Sequence, residues 1–271
     1  MRRRALQLAL VASIVGAVAA WSGILGVVRE TRRSAASDRL LEKAGRRATR
    51  GDATGARLLV DQALAADPDS PRARRERAMH LIAKRQFDAA AAELRQVAAA
   101  RRADAGAAHE VAELLSLKGD REGTVLWLRE ALKRDPKDGL TQVDLARCLI
   151  EMEDTAGALR AAEKAVALAP RLQSARVALG VARWRAGDLV GAQTALDEAL
   201  RLRPADLTAL LCAAQVAGEL GSKEASVAYA RRAVAAHKQN AEAWLALAQA
   251  LAAMGRRDEA DRALARARSL E

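Results

Sequence analysis

Apolar positions along this chain recur as pairs of helical stripes separated by a short break. Over 174–185, Val177, Gly180, Val181 and Trp184 fall three or four residues apart, the spacing that places side chains on one face of a helix. Gly187-Asp188 interrupts the pattern, because glycine tolerates the backbone of a tight turn. A second stripe follows over 189–202 with Ala192, Leu196, Ala199 and Leu200, and Pro204 cannot continue it. Small residues where the stripes cross (Gly180, Ala192, Ala199) let the two helices approach closely. The pattern predicts a helix-turn-helix unit.

That unit returns every 34 residues without a slip in register. The turn position reads Gly51, Arg85, Gly119, Glu153, Gly187, Gly221, Gly255. A small residue of the second helix reads Ala63, Val97, Ala131, Ala165, Ala199, Ala233, Ala267, and the closing position reads Pro68, Arg102, Pro136, Pro170, Pro204, Lys238. A fixed period of this length marks a stacked array of supersecondary units. One unit cannot bury its stripe alone, so neighbours must stack, and an elongated core forms without a globular centre.

With these series in place the chain resembles the tetratricopeptide repeat family, over residues 37–271. The shared marks are the period, the turn glycine, the closing proline and a small residue in the first helix: Ala78, Ala112, Ala146, Gly180, Ala214, Ala248. The resemblance implies an all-α fold, a right-handed superhelical solenoid of about seven helix-turn-helix units. The units run 37–70, 71–104, 105–138, 139–172, 173–206, 207–240 and 241–271. Aromatic residues are scarce, with Phe87 and Trp244 the best matches to the motif's aromatic positions. Repeats two and four lack the turn glycine (Arg85, Glu153), and repeats two and six lack the proline (Arg102, Lys238). Those repeats are expected to be splayed or less stable. The charged last helix, with Arg256, Asp258, Glu259 and Arg262 among others, is expected to cap the array itself.

The first 28 residues follow a different pattern. A basic tail over 1–4 precedes an uncharged stretch over 5–28, roughly 36 Å long as a helix, against a hydrocarbon core of about 30 Å. We read it as a transmembrane signal-anchor helix, followed by a linker over 29–36 that contains neither proline nor glycine. The competing reading is a signal peptide cleaved at Ala17-Val18-Ala19, which leaves a secreted or periplasmic repeat protein. The four-residue tail argues for a cytoplasmic amino terminus. Arg29, Arg32 and Arg33 on the other flank argue the opposite way. Weighting the short tail gives a single-pass bacterial inner-membrane protein with extracytoplasmic repeats. Ala12, Gly16 and Ala20 form a small-residue line, which leaves a homo-oligomer open.

Charge sharpens this division. The net charge is +11, and residues 1–102 hold 21 Lys/Arg against 10 Asp/Glu, whereas residues 103–271 hold 24 of each. The excess, including Arg29, Arg32, Arg33, Arg72 and Arg74, belongs to the anchor and the first two repeats. Near an anionic lipid surface each such residue adds about 1 kcal/mol of attraction. A neutral array with few aromatics is a poor nucleic-acid surface.

Chemistry is sparse. His80, His109 and His237 are isolated, and His109-Glu110 opens no zinc helix because a second histidine is missing. Cys148 and Cys212 sit in different repeats, beyond disulfide reach. No phosphate loop or nucleophile motif occurs, so no catalytic residue, metal or cofactor is expected.

The resemblance further implies a concave groove lined by first helices that holds a protein or peptide. Carried over by position, its residues are Arg75, Met79 and Ile82 in repeat two, and Val143, Arg147 and Ile150 in repeat four. Repeat five contributes Val177, Val181 and Trp184, and repeat six Leu211 and Gln215. An apolar trough with arginines suits an amphipathic segment carrying acidic residues. The function implied is a membrane-anchored scaffold for envelope assembly, secretion or cofactor-protein maturation. A non-catalytic regulatory subunit of a membrane enzyme is the other reading.

Overall fold

The computed structural model describes residues 29–100 and 105–270. The expected membrane segment over 5–28 and its basic tail lie outside the described residues. Among the described residues no helix is long and apolar enough to cross a membrane.

All regular structure among the described residues is helical. Helix α1 covers 29–48, followed by α2 (Ala53–Ala66), α3 (Pro71–Ala83) and α4 (Phe87–Ala100). Next come α5 (Ala105–Lys118), α6 (Arg121–Arg134), α7 (Gly139–Glu151), α8 (Thr155–Leu168) and α9 (Gln173–Arg185). The chain finishes with α10 (Leu189–Leu202), α11 (Leu207–Glu219), α12 (Lys223–Ala236), α13 (Ala241–Ala253) and α14 (Arg257–Arg268). Odd-numbered helices are the first helix of each repeat and even-numbered ones the second. The described residues divide into two compact units, one before and one after residue 102.

The expected linker over 29–36 is helical and fully exposed, and burial begins at Ser37, Leu41 and Ala44. With no proline or glycine to stop it, α1 runs upstream of the residues it packs. Burial therefore starts at residue 37, while the helix already covers 29–36.

Every turn position has a left-handed backbone. Glycine serves at Gly51, Gly119, Gly187, Gly221 and Gly255 (φ +76° to +83°), while Arg85 and Glu153 take φ 59° and 62°. The expectation of splayed repeats at these two positions is not met, because each turn closes as in its neighbours. Asp154 N–H donates to Leu149 O at 2.9 Å, just as Asp188 N–H donates to Arg183 O at 2.9 Å. The cost is instead local, since an L-residue in this conformation is disfavoured by about 1–2 kcal/mol. Glu153→Gly is therefore expected to raise stability by about 1 kcal/mol, read as a higher denaturation midpoint at unchanged slope.

Helix ends are set by side chains and by a recurrent turn. Asp52, Asp120, Asp154 and Asp188 each accept the N–H three residues on at 2.7–2.9 Å, capping the second helices. Closure at the other end does not require proline. His237 N–H reaches Ala233 O at 2.9 Å before Lys238, the same bond that Arg203 N–H makes to Ala199 O before Pro204.

In unit 103–271 two apolar clusters run along the stack. Leu128, Leu145, Leu149, Ala162 and Leu179 belong to one, and Leu196, Leu200, Leu210, Val216, Val227, Leu247 and Leu251 to the other. Gly180 lets α9 and α10 approach closely. A Cβ there would lie 2.7 Å from Leu196 Cγ, so any larger residue would have to displace that side chain. Trp127 is half-buried and packs against the first cluster.

Neighbouring first helices touch directly, α7 on α9, α9 on α11 and α11 on α13. Second helices instead rest on the first helix of the next repeat, as α8 does on α9 and α10 on α11. A stack in which one row is drawn together and the other held apart bends toward the closer row. First helices therefore line the inner face of this unit.

Candidate functional site

On the inner face of unit 103–271 the side chains fall into two stretches of different chemistry. The first is a polar slot of about 430 Å³ where α5 faces α7, lined by His109, Glu113, Leu117, Asp144 and Arg147. His109 Nδ1 lies 2.9 Å from Thr141 Oγ1, and Thr141 donates its hydroxyl to Asp138 Oδ2 at 2.5 Å. Thr141 is thus the acceptor for His109, which places the proton on Nδ1. Nε2 then faces Glu113 at 3.4 Å and Asp144 at 3.5 Å, while Arg147 holds Asp144 at 2.9 Å. Leu117, 69 % exposed, adds an apolar edge.

Asp138 anchors this chain and caps α7 through the N–H groups of Leu140 and Thr141. Burial pushes its carboxyl up, but the Thr141 hydroxyl and the two N–H groups outweigh that and hold it below its ordinary value of 3.8. A depressed folded value means the cap stabilises the fold above the ordinary carboxyl range and is lost as pH falls through it. Asp138→Ala is expected to cost about 1 kcal/mol near pH 7. Chemical denaturation should show that difference shrinking below about pH 4.

The second stretch is apolar and nearly uncharged. Leu207, Leu211 and Gln215 on α11 face Leu245 and Gln249 on α13 across a groove of about 400 Å³, with Glu242 at one end. Leu245 is 40 % exposed. On the neighbouring α9, Val177 and Trp184 pack partly against the core and Val181 is half-buried. Trp184 Nε1 donates to Glu219 Oε2 at 2.9 Å, and the Arg185 guanidinium lies 5.4 Å from its ring centre. Trp184 therefore joins repeats five and six through Glu219.

The sequence-derived groove residues separate accordingly. Arg147, Leu211 and Gln215 line the two stretches. Val143 and Ile150 are half-buried against the core beneath them. Arg75, Met79 and Ile82 lie on α3 in the other unit, where Met79 is 63 % exposed and the other two are half-buried. Four lining residues on α13 were missed: Glu242, Leu245, Ala246 and Gln249. The beat itself points to them, since each stands 34 residues after a lining residue of α11 (Thr208, Leu211, Cys212, Gln215).

The membrane-proximal basic residues differ from one another. Arg29, Arg32 and Arg33 are exposed on α1. Arg72 pairs with Asp38 at 3.4 Å. Arg74 is only 17 % exposed and binds Glu93 at 2.9 Å, so it holds α3 to α4.

Burial keeps both thiols in their protonated form. Burial pushes Cys148 up, and pushes Cys212 up to about 11. Reaction runs through the thiolate. Cys212 is therefore expected to react with a disulfide reagent at neutral pH about 100-fold more slowly than an exposed thiol, measured under native conditions against the unfolded chain.

Comparison with known proteins agrees with this geometry. Residues 143–206 and 241–271 each match a family model described as tetratricopeptide repeat. Those two segments are tetratricopeptide repeats. No curated protein matches the sequence. Among solved structures, a tetratricopeptide repeat protein from Parabacteroides merdae superposes with TM-score 0.69 at 13% identity, covering 87% of this chain and 93% of the other. Pseudomonas aeruginosa pilF gives TM-score 0.61 at 19% identity, with coverage of 78% and 96%. The thermophilic tetratricopeptide protein TTC0263 of Thermus thermophilus gives 0.54 at 25% identity, with coverage of 60% and 90%. These likenesses concern the fold.

Proposed function

We propose that this tetratricopeptide protein is a non-catalytic scaffold whose first helices hold a protein segment. The observation that supports the reading is the uncovered groove on α11 and α13, where Leu211 and Leu245 face each other and Gln215 and Gln249 stand ready to bond a backbone. Apolar anchors flanked by amide groups suit an amphipathic helix or an extended peptide. The slot at α5 and α7 extends the same face with Arg147, His109 and Glu113, which adds selection by charge.

On this reading the uncharged stretch over 5–28, bracketed by arginines, anchors the chain in a bacterial inner membrane. The repeats wind as a right-handed superhelix on the extracytoplasmic side and serve envelope assembly, secretion or cofactor-protein maturation. The exposed Arg29, Arg32 and Arg33 would sit against anionic headgroups. A crosslinking pull-down of the intact chain tests the scaffold role. Recovery of the partner should fall at least tenfold in Leu211→Glu and in Arg147→Glu, and equal recovery would overturn the assignment.

A further inference from the structure

The opposite face of the same unit holds a groove of another character. Between α6 and α8, over α7, lies a depression of about 660 Å³. Arg129 and Lys133 form one lip and Arg160 and Lys164 the other, and no carboxylate lines it. Each pair is spaced i, i+4, so its two cations stand one turn apart on one helix face. The floor is apolar: Leu145 and Leu149 are 7% and 3% exposed, and Leu168 at the rim is 40% exposed.

Two observations set this groove apart from an ordinary solvated surface. Residues 103–271 hold equal numbers of acidic and basic residues, so four cations around one depression are a local segregation. Lys133 meets Glu130 at 3.2 Å, but among the described residues Arg129, Arg160 and Lys164 have no carboxylate at ion-pair distance. The equivalent slot between α10 and α12 is also closed by its own side chains. There Tyr229 reaches across to Asp197 at 2.5 Å and to Gln193 at 3.1 Å. Two periods earlier, Ala161 stands in place of Tyr229 and Arg129 in place of Asp197. The plug is missing and the charge is reversed.

We infer that the groove between α6 and α8 docks an acidic amphipathic helix of a partner protein, with carboxylates on the two cationic lips and apolar side chains on the floor. The lining of α8 from Gly157 to Leu168 covers about 18 Å, so three to four turns of helix fit. A depression floored by buried leucines suits a narrow segment better than a flat bilayer. This inference is independent of the inner-face reading.

The test uses the intact chain in uncharged detergent and a fluorescein-labelled peptide of three to four turns, with glutamates spaced i, i+4 beside a leucine stripe. Arg160→Glu/Lys164→Glu is expected to weaken binding at least tenfold. The control Lys223→Glu/Lys238→Glu, of equal charge change at exposed sites, should change it less than twofold. Raising ionic strength from about 0.1 M to about 1 M should weaken the wild type and leave the reversed variant little changed. Arg160→Gln/Lys164→Gln serves should the reversal disturb the far-UV spectrum. Equal loss in groove and control variants overturns the inference, as does equal binding of a peptide with its leucines scrambled. Phosphatidylglycerol vesicles that bind through Arg160 and Lys164 while the peptide does not would also overturn it, in favour of a lipid surface.

Discussion

Truncating Leu196 to alanine is expected to cost about 3–5 kcal/mol, the upper part of the range for buried leucines. Leu196 is fully buried on α10 and its side chain fills the space left by the missing Cβ of Gly180 on α9. The cavity cannot shrink from that side, because Gly180 has no side chain to move into it. Gly180→Ala in the wild type sets two effects against each other. Overpacking costs about 1–3 kcal/mol, while alanine in place of glycine gains about 1 kcal/mol of helix propensity. With a Cβ placed 2.7 Å from Leu196 Cγ, overpacking should win. In the Leu196→Ala background the clash with Leu196 is gone, so the same substitution should become stabilising. Chemical denaturation of the four proteins gives a double-mutant cycle. A coupling near zero would show that the two helices do not meet as described.

Leu245→Glu is expected to weaken the partner at least tenfold, a loss of about 1.4 kcal/mol or more, with little effect on the fold. Leu245 is 40 % exposed, so a carboxylate there remains hydrated in the free protein and is desolvated only under a bound apolar side chain. Trp184→Ala should weaken the partner less and the fold more. Its ring packs partly on the core and its N–H is held by Glu219, so its removal loosens the join between repeats five and six. The comparison is read by titrating the isolated partner against each variant alongside its unfolding midpoint. A larger affinity loss in Trp184→Ala than in Leu245→Glu would move the anchor point to α9.

Much of this fold is legible in the sequence because it is local and repeated. The left-handed turn falls on the beat in every unit, and an aspartate cap follows it in four of them. The beat proved stronger than residue identity at Arg85 and Glu153, where packing on both sides holds a left-handed turn without glycine. It also held at Lys238, where the helix closes without proline. The upstream extension of α1 was less legible, since no proline or glycine over 29–36 marks a boundary and helix ends without a breaker are poorly defined.

The site is legible by position and illegible by environment. Register places Arg147, Leu211 and Gln215 on the right face and also points to Leu245. It does not reveal that His109 bonds Thr141, a contact across 32 residues between different repeats. Nor does it separate Trp184, engaged with Glu219, from Leu245, left uncovered. Those distinctions depend on which side chains of neighbouring repeats meet, which no single repeat encodes.

The most direct test of an inner-face scaffold is site-specific photo-crosslinking in intact cells. A photoreactive residue at Leu117 or Leu245, on first helices, is compared with one at Leu126, which is 66 % exposed on the second helix α6. The expected result is one protein adduct shared by Leu117 and Leu245, absent at Leu126, and lost from the Leu245 probe when Leu211→Glu is added. Adducts formed at Leu126 alone, or adducts at Leu245 unchanged by Leu211→Glu, would contradict it.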